Sequence, residues 1–153
     1  MLAAALLVAV VQATAPPPAN VEQALALHRD GRLDAALVAY RAVADGAHGA
    51  HGADAAGDPA SAGTAHNNAC VILTDRGELA AALVECRAAE RIRRGLGDRF
   101  RLGRTLNNLA RALQYSGEID AAERAFGEAL TRPRLSYNVA IYHRTIGGAA
   151  RDG

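Results

Sequence analysis

Tryptophan and lysine are both missing from this 153-residue sequence, and aromatic residues make up only 4% of it. A β-sandwich draws on aromatic and β-branched side chains to fill a pleated, half-buried surface, so this shortage argues against one. Half of the chain is nonetheless hydrophobic, and much of that half is alanine. Alanine loses no side-chain entropy in a helix, so an Ala-rich, Leu-containing, Trp-free chain favours closely packed helices. With no lysine, every basic side chain is an arginine. A GC-rich coding bias would produce that pattern, and so would a need for the planar, multi-donor guanidinium. Charge of one sign is also lacking: the formal net charge is +1, which argues against bulk binding to nucleic acid. Serine is scarce and no glycine-rich phosphate loop follows a strand, so no catalytic arrangement stands out. Acidic residues such as Glu78, Glu118 and Asp120 fall at turns and helix starts, where they complement the helix dipole.

Long hydrophobic runs are absent too. Leu2 to Val11 is unbroken and apolar but too short to cross a bilayer, so no stable membrane span is expected. It has the dimensions of a secretory-signal core, and Val11-Gln12-Ala13 and Ala13-Thr14-Ala15 have the small-residue spacing of cleavage sites. Pro16 disfavours the second of these, and no arginine precedes the apolar run. The expectation is a signal and Pro-rich leader over 1–19 and a periplasmic or secreted protein, with a cytoplasmic one as the alternative.

What is present is a recurring punctuation. Gly31, Gly77 and Gly117 each open a similar stretch. Five residues on lies a small side chain (Ala36, Ala82, Ala122), and nine on a bulkier one (Tyr40, Cys86, Phe126). Twelve on come Val43, Ala89 and Ala129. Those intervals step along one face of a helix. Upstream of the same glycines lie small residues (Ala24, Cys70, Ala110) and then leucines (Leu27, Leu73, Leu113), the mark of a preceding helix. Small residues at matched places let two helix backbones approach closely. The glycines are 46 and then 40 residues apart, a spacing that belongs to stacked helical hairpins.

These residues resemble the tetratricopeptide repeat. The best copy runs from Leu106-Asn107-Asn108-Leu109-Ala110 to Leu130, and with Asn67-Asn68-Ala69-Cys70 it is similar to the longer repeats of kinesin light chains and related bacterial proteins. The resemblance covers about residues 20 to 130 and implies an all-α, right-handed solenoid of antiparallel hairpins. Its fold domain is placed at 20–146, with a loop or poorly ordered insertion over 45–63 and a tail over 147–153. Ser136 to Ile146 reads as a capping helix, because Ala140 and Gly147 repeat the seven-residue offset.

The resemblance further implies a non-catalytic scaffold whose concave groove binds a peptide or partner segment. Carried over by register, the groove residues are Asn67, Val71, Thr74, Asp75, Arg104, Asn107, Arg111, Gln114, Tyr115, Tyr137 and Arg144, with Ile141, His28 and Arg29 nearby. A carboxamide both donates and accepts and so can hold a peptide unit, while several guanidinium groups favour acidic ligands. No cofactor and no metal is expected, since His48, His51, Asp54 and Asp58 lie in a Gly/Ala-rich stretch without a rigid frame. Cys70 and Cys86 stand at facing core positions, where they are either a disulfide or two buried thiols. Two alternatives remain: an assembly or oligomerisation module that self-associates through its end faces, and a metal- or redox-responsive module.

Overall fold

A computed structural model of the chain describes residues 20–49 and 58–131. Six helices follow one another: α1 (Val21–Arg29), α2 (Leu33–Gly49), α3 (Pro59–Asp75), α4 (Leu79–Gly95), α5 (Arg99–Tyr115) and α6 (Ile119–Leu130). Among the described residues there is no strand.

The helix ends obey a two-part rule. Helices α1, α3 and α5 start on a carboxamide or carboxylate: Asn20 accepts from the Gln23 amide, Asp58 from Ala60 and Ser61, and Asp98 from Arg101. Each bond satisfies a backbone donor that the helix itself cannot. Helices α2, α4 and α6 begin immediately after a glycine turn. At Gly77, φ is +76°, the Gly77 amide donates to Thr74 (3.0 Å) and the Glu78 amide to Leu73 (2.9 Å). This paired bonding closes α3 and reverses the chain, and the left-handed backbone needs glycine. A fourth such turn, at Gly97 between α4 and α5, was not among the punctuation marks expected.

Every helix packs on its neighbours in the chain, and in addition α1 touches α3 and α3 touches α5. The odd-numbered helices therefore form one layer of a solenoid and the even-numbered helices a second. The core lies between them, and the punctuated residues fill it. Ala24, Cys70, Ala110, Ala36, Tyr40, Ala82, Cys86, Phe126 and Ala129 are all buried. Alanine and cysteine set the close approach, while Tyr40, Leu73, Leu113 and Phe126 interdigitate around it. Cys70 and Cys86 have their Cα atoms 5.2 Å apart and are joined in a disulfide between α3 and α4.

The expected insertion over 45–63 needs correction at both ends. Helix α2 continues to Gly49, and α3 begins at Pro59. Asp58 and Pro59 account for the second boundary, because a capping carboxylate followed by proline at the first helical position nucleates a helix start. Gly63 lies inside α3 for a packing reason. A Cβ there would stand 3.0 Å from Arg93 Nε and 3.1 Å from Ile92 Cγ2. The leader over 1–19, the stretch 50–57 with His51 and Asp54, the capping segment and the tail lie outside the described residues.

Candidate functional site: the face of α3 and α5

Two adjoining clefts open along the odd-numbered layer. The larger, about 270 Å³, is lined by Asn67, Asn68 and Val71 of α3 and by Arg104, Asn107, Asn108 and Arg111 of α5. The smaller, about 170 Å³, is lined by Leu25, Thr64, Asn67, Asn68, Arg93, Arg101, Arg104 and Thr105. Asn67, Asn68 and Arg104 border both, so the two form one trough bounded by carboxamides and guanidinium groups.

Helix geometry explains the convergence. Asn67, Asn68 and Val71 occupy consecutive turns of one face of α3. Their counterparts Asn107, Asn108 and Arg111 lie 40 residues later, the distance between Gly77 and Gly117. Packing α5 against α3 brings the two faces side by side. The contact is polar: Thr105 donates its hydroxyl to Asn67 Oδ1 (3.0 Å), and Asn108 Nδ2 donates to the same oxygen (3.1 Å). Only 8% of Asn67 is exposed, so its carbonyl serves the joint between helices before it serves any ligand. Arg111 is drawn towards Asp75, 3.1 Å away. Arg104 is exposed and, among the described residues, has no carboxylate within ion-pair reach.

The structure divides the expected groove set. Asn67, Val71, Arg104, Asn107 and Arg111 line the trough together. Thr74 does not: it is 2% exposed, and its hydroxyl donates to the Cys70 carbonyl at 2.7 Å. Asp75, Gln114 and Tyr115 lie further along the same helices and line neither cleft. His28 turns towards the core, with Nδ1 3.3 Å from the Tyr40 hydroxyl and the two rings edge to face. Burial pushes the Tyr40 phenol up to about 12, against the opposing effects of a hydrogen bond with Asn68 and the charge of Arg29. Tyr137, Ile141 and Arg144 lie outside the described residues.

Several trough residues were not in the expected set. Asn68 and Asn108 were legible, since each is the second member of an asparagine pair recurring at 40 residues. Arg93 was not. It is 2% exposed, and its guanidinium donates to Thr64 Oγ1 (2.5 Å) and to Asp98 Oδ2 (3.4 Å). Burial lowers the pKa of Arg93, partly offset by the nearby Asp98 carboxylate. Asp98 in turn holds α5: burial works to raise its carboxyl pKa, but the Arg101 amide and the Arg101 and Arg93 side chains prevail and lower it. In a chain with many arginines and no lysine, nothing in the sequence marks Arg93 as buried.

Among the described residues, no group of three metal-ligating side chains converges, and no helix is long and apolar enough to cross a bilayer. Asp58, one of the four residues considered as ligands, caps α3 and is held below the usual carboxylate range chiefly by the Ala60 amide.

Residues 61–134 fit the family model described as tetratricopeptide repeat. Neither the curated proteins nor the solved structures contain a match to the chain.

Proposed function

Because residues 61–134 belong to the tetratricopeptide repeat family, we propose that this chain is a stoichiometric, non-catalytic scaffold that holds an acidic, extended segment of another protein in the α3–α5 trough. The observation that carries the reading is the composition of that trough: four carboxamides and two guanidinium groups along one cleft of about 270 Å³. Carboxamides match the alternating donors and acceptors of an extended backbone. The guanidinium groups add a preference for carboxylates, strongest at Arg104, whose charge is not shared with a neighbouring acid. The 40-residue spacing of Gly77 and Gly117 supports the likeness to kinesin-light-chain repeats. The buried Cys70–Cys86 bond supports an oxidising compartment, periplasmic or extracellular.

A display library of linear peptides, selected on the immobilised chain, tests this reading. Peptides rich in Asp and Glu are expected to be enriched, and Arg104→Glu to weaken them by about tenfold, roughly the value of one charge-assisted hydrogen bond. Enrichment without acidic residues, or equal binding by Arg104→Glu, would contradict it.

A further inference from the structure

The smaller cleft gathers more positive charge than its surroundings balance. Four helices meet there: Leu25 comes from α1, Thr64 from α3, Arg93 from α4, and Arg101 and Arg104 from α5. Arg101 and Arg104 are three residues apart, which places them one turn apart on the same face of α5. Both are exposed, whereas Arg93 is 2% exposed and forms part of the wall. Among the described residues, Asp98 is the only carboxylate within ion-pair reach of any of the three, 3.4 Å from Arg93 and 2.9 Å from Arg101. Three guanidinium groups against that one carboxylate leave a surplus of two positive charges.

The three cations are near enough to act on one another. Burial lowers the Arg93 pKa most, the Asp98 carboxylate opposes it, and the charges of Arg101 and Arg104 lower it further. Asp58 also opposes the fall, but its oxygens are already held by the Ala60 and Ser61 amides. Thr64 and Asp98 do not saturate Arg93 either: its Nε is buried without a hydrogen-bond partner among the described residues. A carboxylate in the cleft would neutralise half of the surplus. A phosphate monoester carries about −1.5 to −2 charges at pH 7, and its oxygens are strong acceptors for fork-shaped guanidinium donors. A volume of about 170 Å³ gives a tetrahedral oxyanion room.

We infer that the smaller cleft is a phosphoryl-binding site, in which Arg101 and Arg104 grip the oxygens of a dianion and Arg93 adds fixed charge from the wall. The same chemistry is offered by inorganic phosphate and by a phosphorylated side chain of a bound segment. The site does not rest on the acidic-segment reading. Arg104 borders both clefts, but Arg93 and Arg101 line the smaller one alone.

NMR titration of the labelled full chain with inorganic phosphate and with acetate, at one ionic strength and pH 7, tests the site without any peptide. Phosphate is expected to bind about tenfold more tightly than acetate or better, and Arg101→Gln and Arg104→Gln each to weaken it by about tenfold. Both side chains are exposed, so neither change removes a buried group. Arg124→Gln, at an exposed arginine of α6, should leave phosphate binding unchanged. Phosphate no tighter than acetate, or an equal loss in Arg124→Gln and Arg101→Gln, would overturn the site. A second arm identifies the source, comparing the display-selected acidic peptide with a version that carries phosphoserine. A gain of about tenfold that Arg101→Gln abolishes assigns the phosphoryl group to the segment. No gain, beside specific binding of inorganic phosphate, assigns it to a free anion. Should no peptide bind, the acidic-segment reading fails while the phosphate titration still decides the cleft.

Discussion

Gly63 is the point at which α3 comes nearest to Arg93, and a Cβ there would stand 3.0 Å from Arg93 Nε. In the sequence it belongs to a Gly- and Ala-rich stretch, and such stretches are ordinarily loops. In the structure it is helical, and its missing side chain is the space through which Arg93 reaches Thr64. Gly63→Ala should destabilise the chain by about 1–3 kcal/mol, because the added methyl presses on Ile92 and on the Arg93 guanidinium that Thr64 and Asp98 hold in place. Gly127→Ala is the matched comparison. It too is helical, nothing lies within 4 Å of its added Cβ, and it should stabilise by about 0.5–1 kcal/mol. Urea denaturation of the two variants measures the difference in sign. The asparagines carry a related lesson. Register placed Asn67, Asn107 and Arg111 on the trough, yet register could not show that the Asn67 carbonyl is spent on Thr105 and Asn108, or that Thr74 turns inward to Cys70. A helical face is set by spacing; whether a polar side chain on it is free depends on the neighbouring helix.

At the scale of elements, the hairpins were legible because the same glycine-led spacing recurs three times and every position in it proved buried or turning. The turn at Gly97 was missed because it joins one hairpin to the next, where the 20-residue offset from Gly77 has no partner in the first unit. That turn is also a place where acid should act. Asp98 caps α5 and binds Arg93 and Arg101, and its carboxyl pKa is depressed below the ordinary 3.8. A depressed folded-state pKa means that the stabilisation is present above the unfolded value and disappears as pH falls through the folded one. Acid titration below about pH 4 should therefore loosen the α4–α5 turn, and Asp98→Asn should remove that part of the pH dependence. Exchange rates of the Arg101 amide, followed against pH in both proteins, are the check. The disulfide acts on another element pair. It closes a loop of 16 residues between α3 and α4, so replacing Cys70 and Cys86 together by alanine should cost about 2–4 kcal/mol, readable as a lower urea midpoint.

For the whole molecule, an Ala-rich, Trp-free composition pointed to layered helices, and two such layers are what the chain builds. Ionic links tie successive units on the outside of the core. Arg94 of α4 grips both oxygens of Glu128 on α6 at 2.7 Å, and Arg76 meets Asp34 at 2.7 Å. Being partly exposed, such pairs contribute little stability each, but they fix how one hairpin sits on the next. That fixed stacking keeps α3 and α5 side by side along the trough. The layered fold could be read from periodicity; the trough could be read only in part, because it depends on which polar groups the stacking consumes.

The trough between α3 and α5 is the proposed place of binding. Amide chemical-shift mapping, with the labelled full chain titrated by an acidic peptide from the display selection, addresses it directly. Shifts are expected to concentrate at Asn67, Asn68 and Val71 of α3 and at Arg104, Asn107 and Asn108 of α5, with affinity falling as salt is raised. Shifts confined to α2, α4 and α6, or binding indifferent to salt, would contradict it.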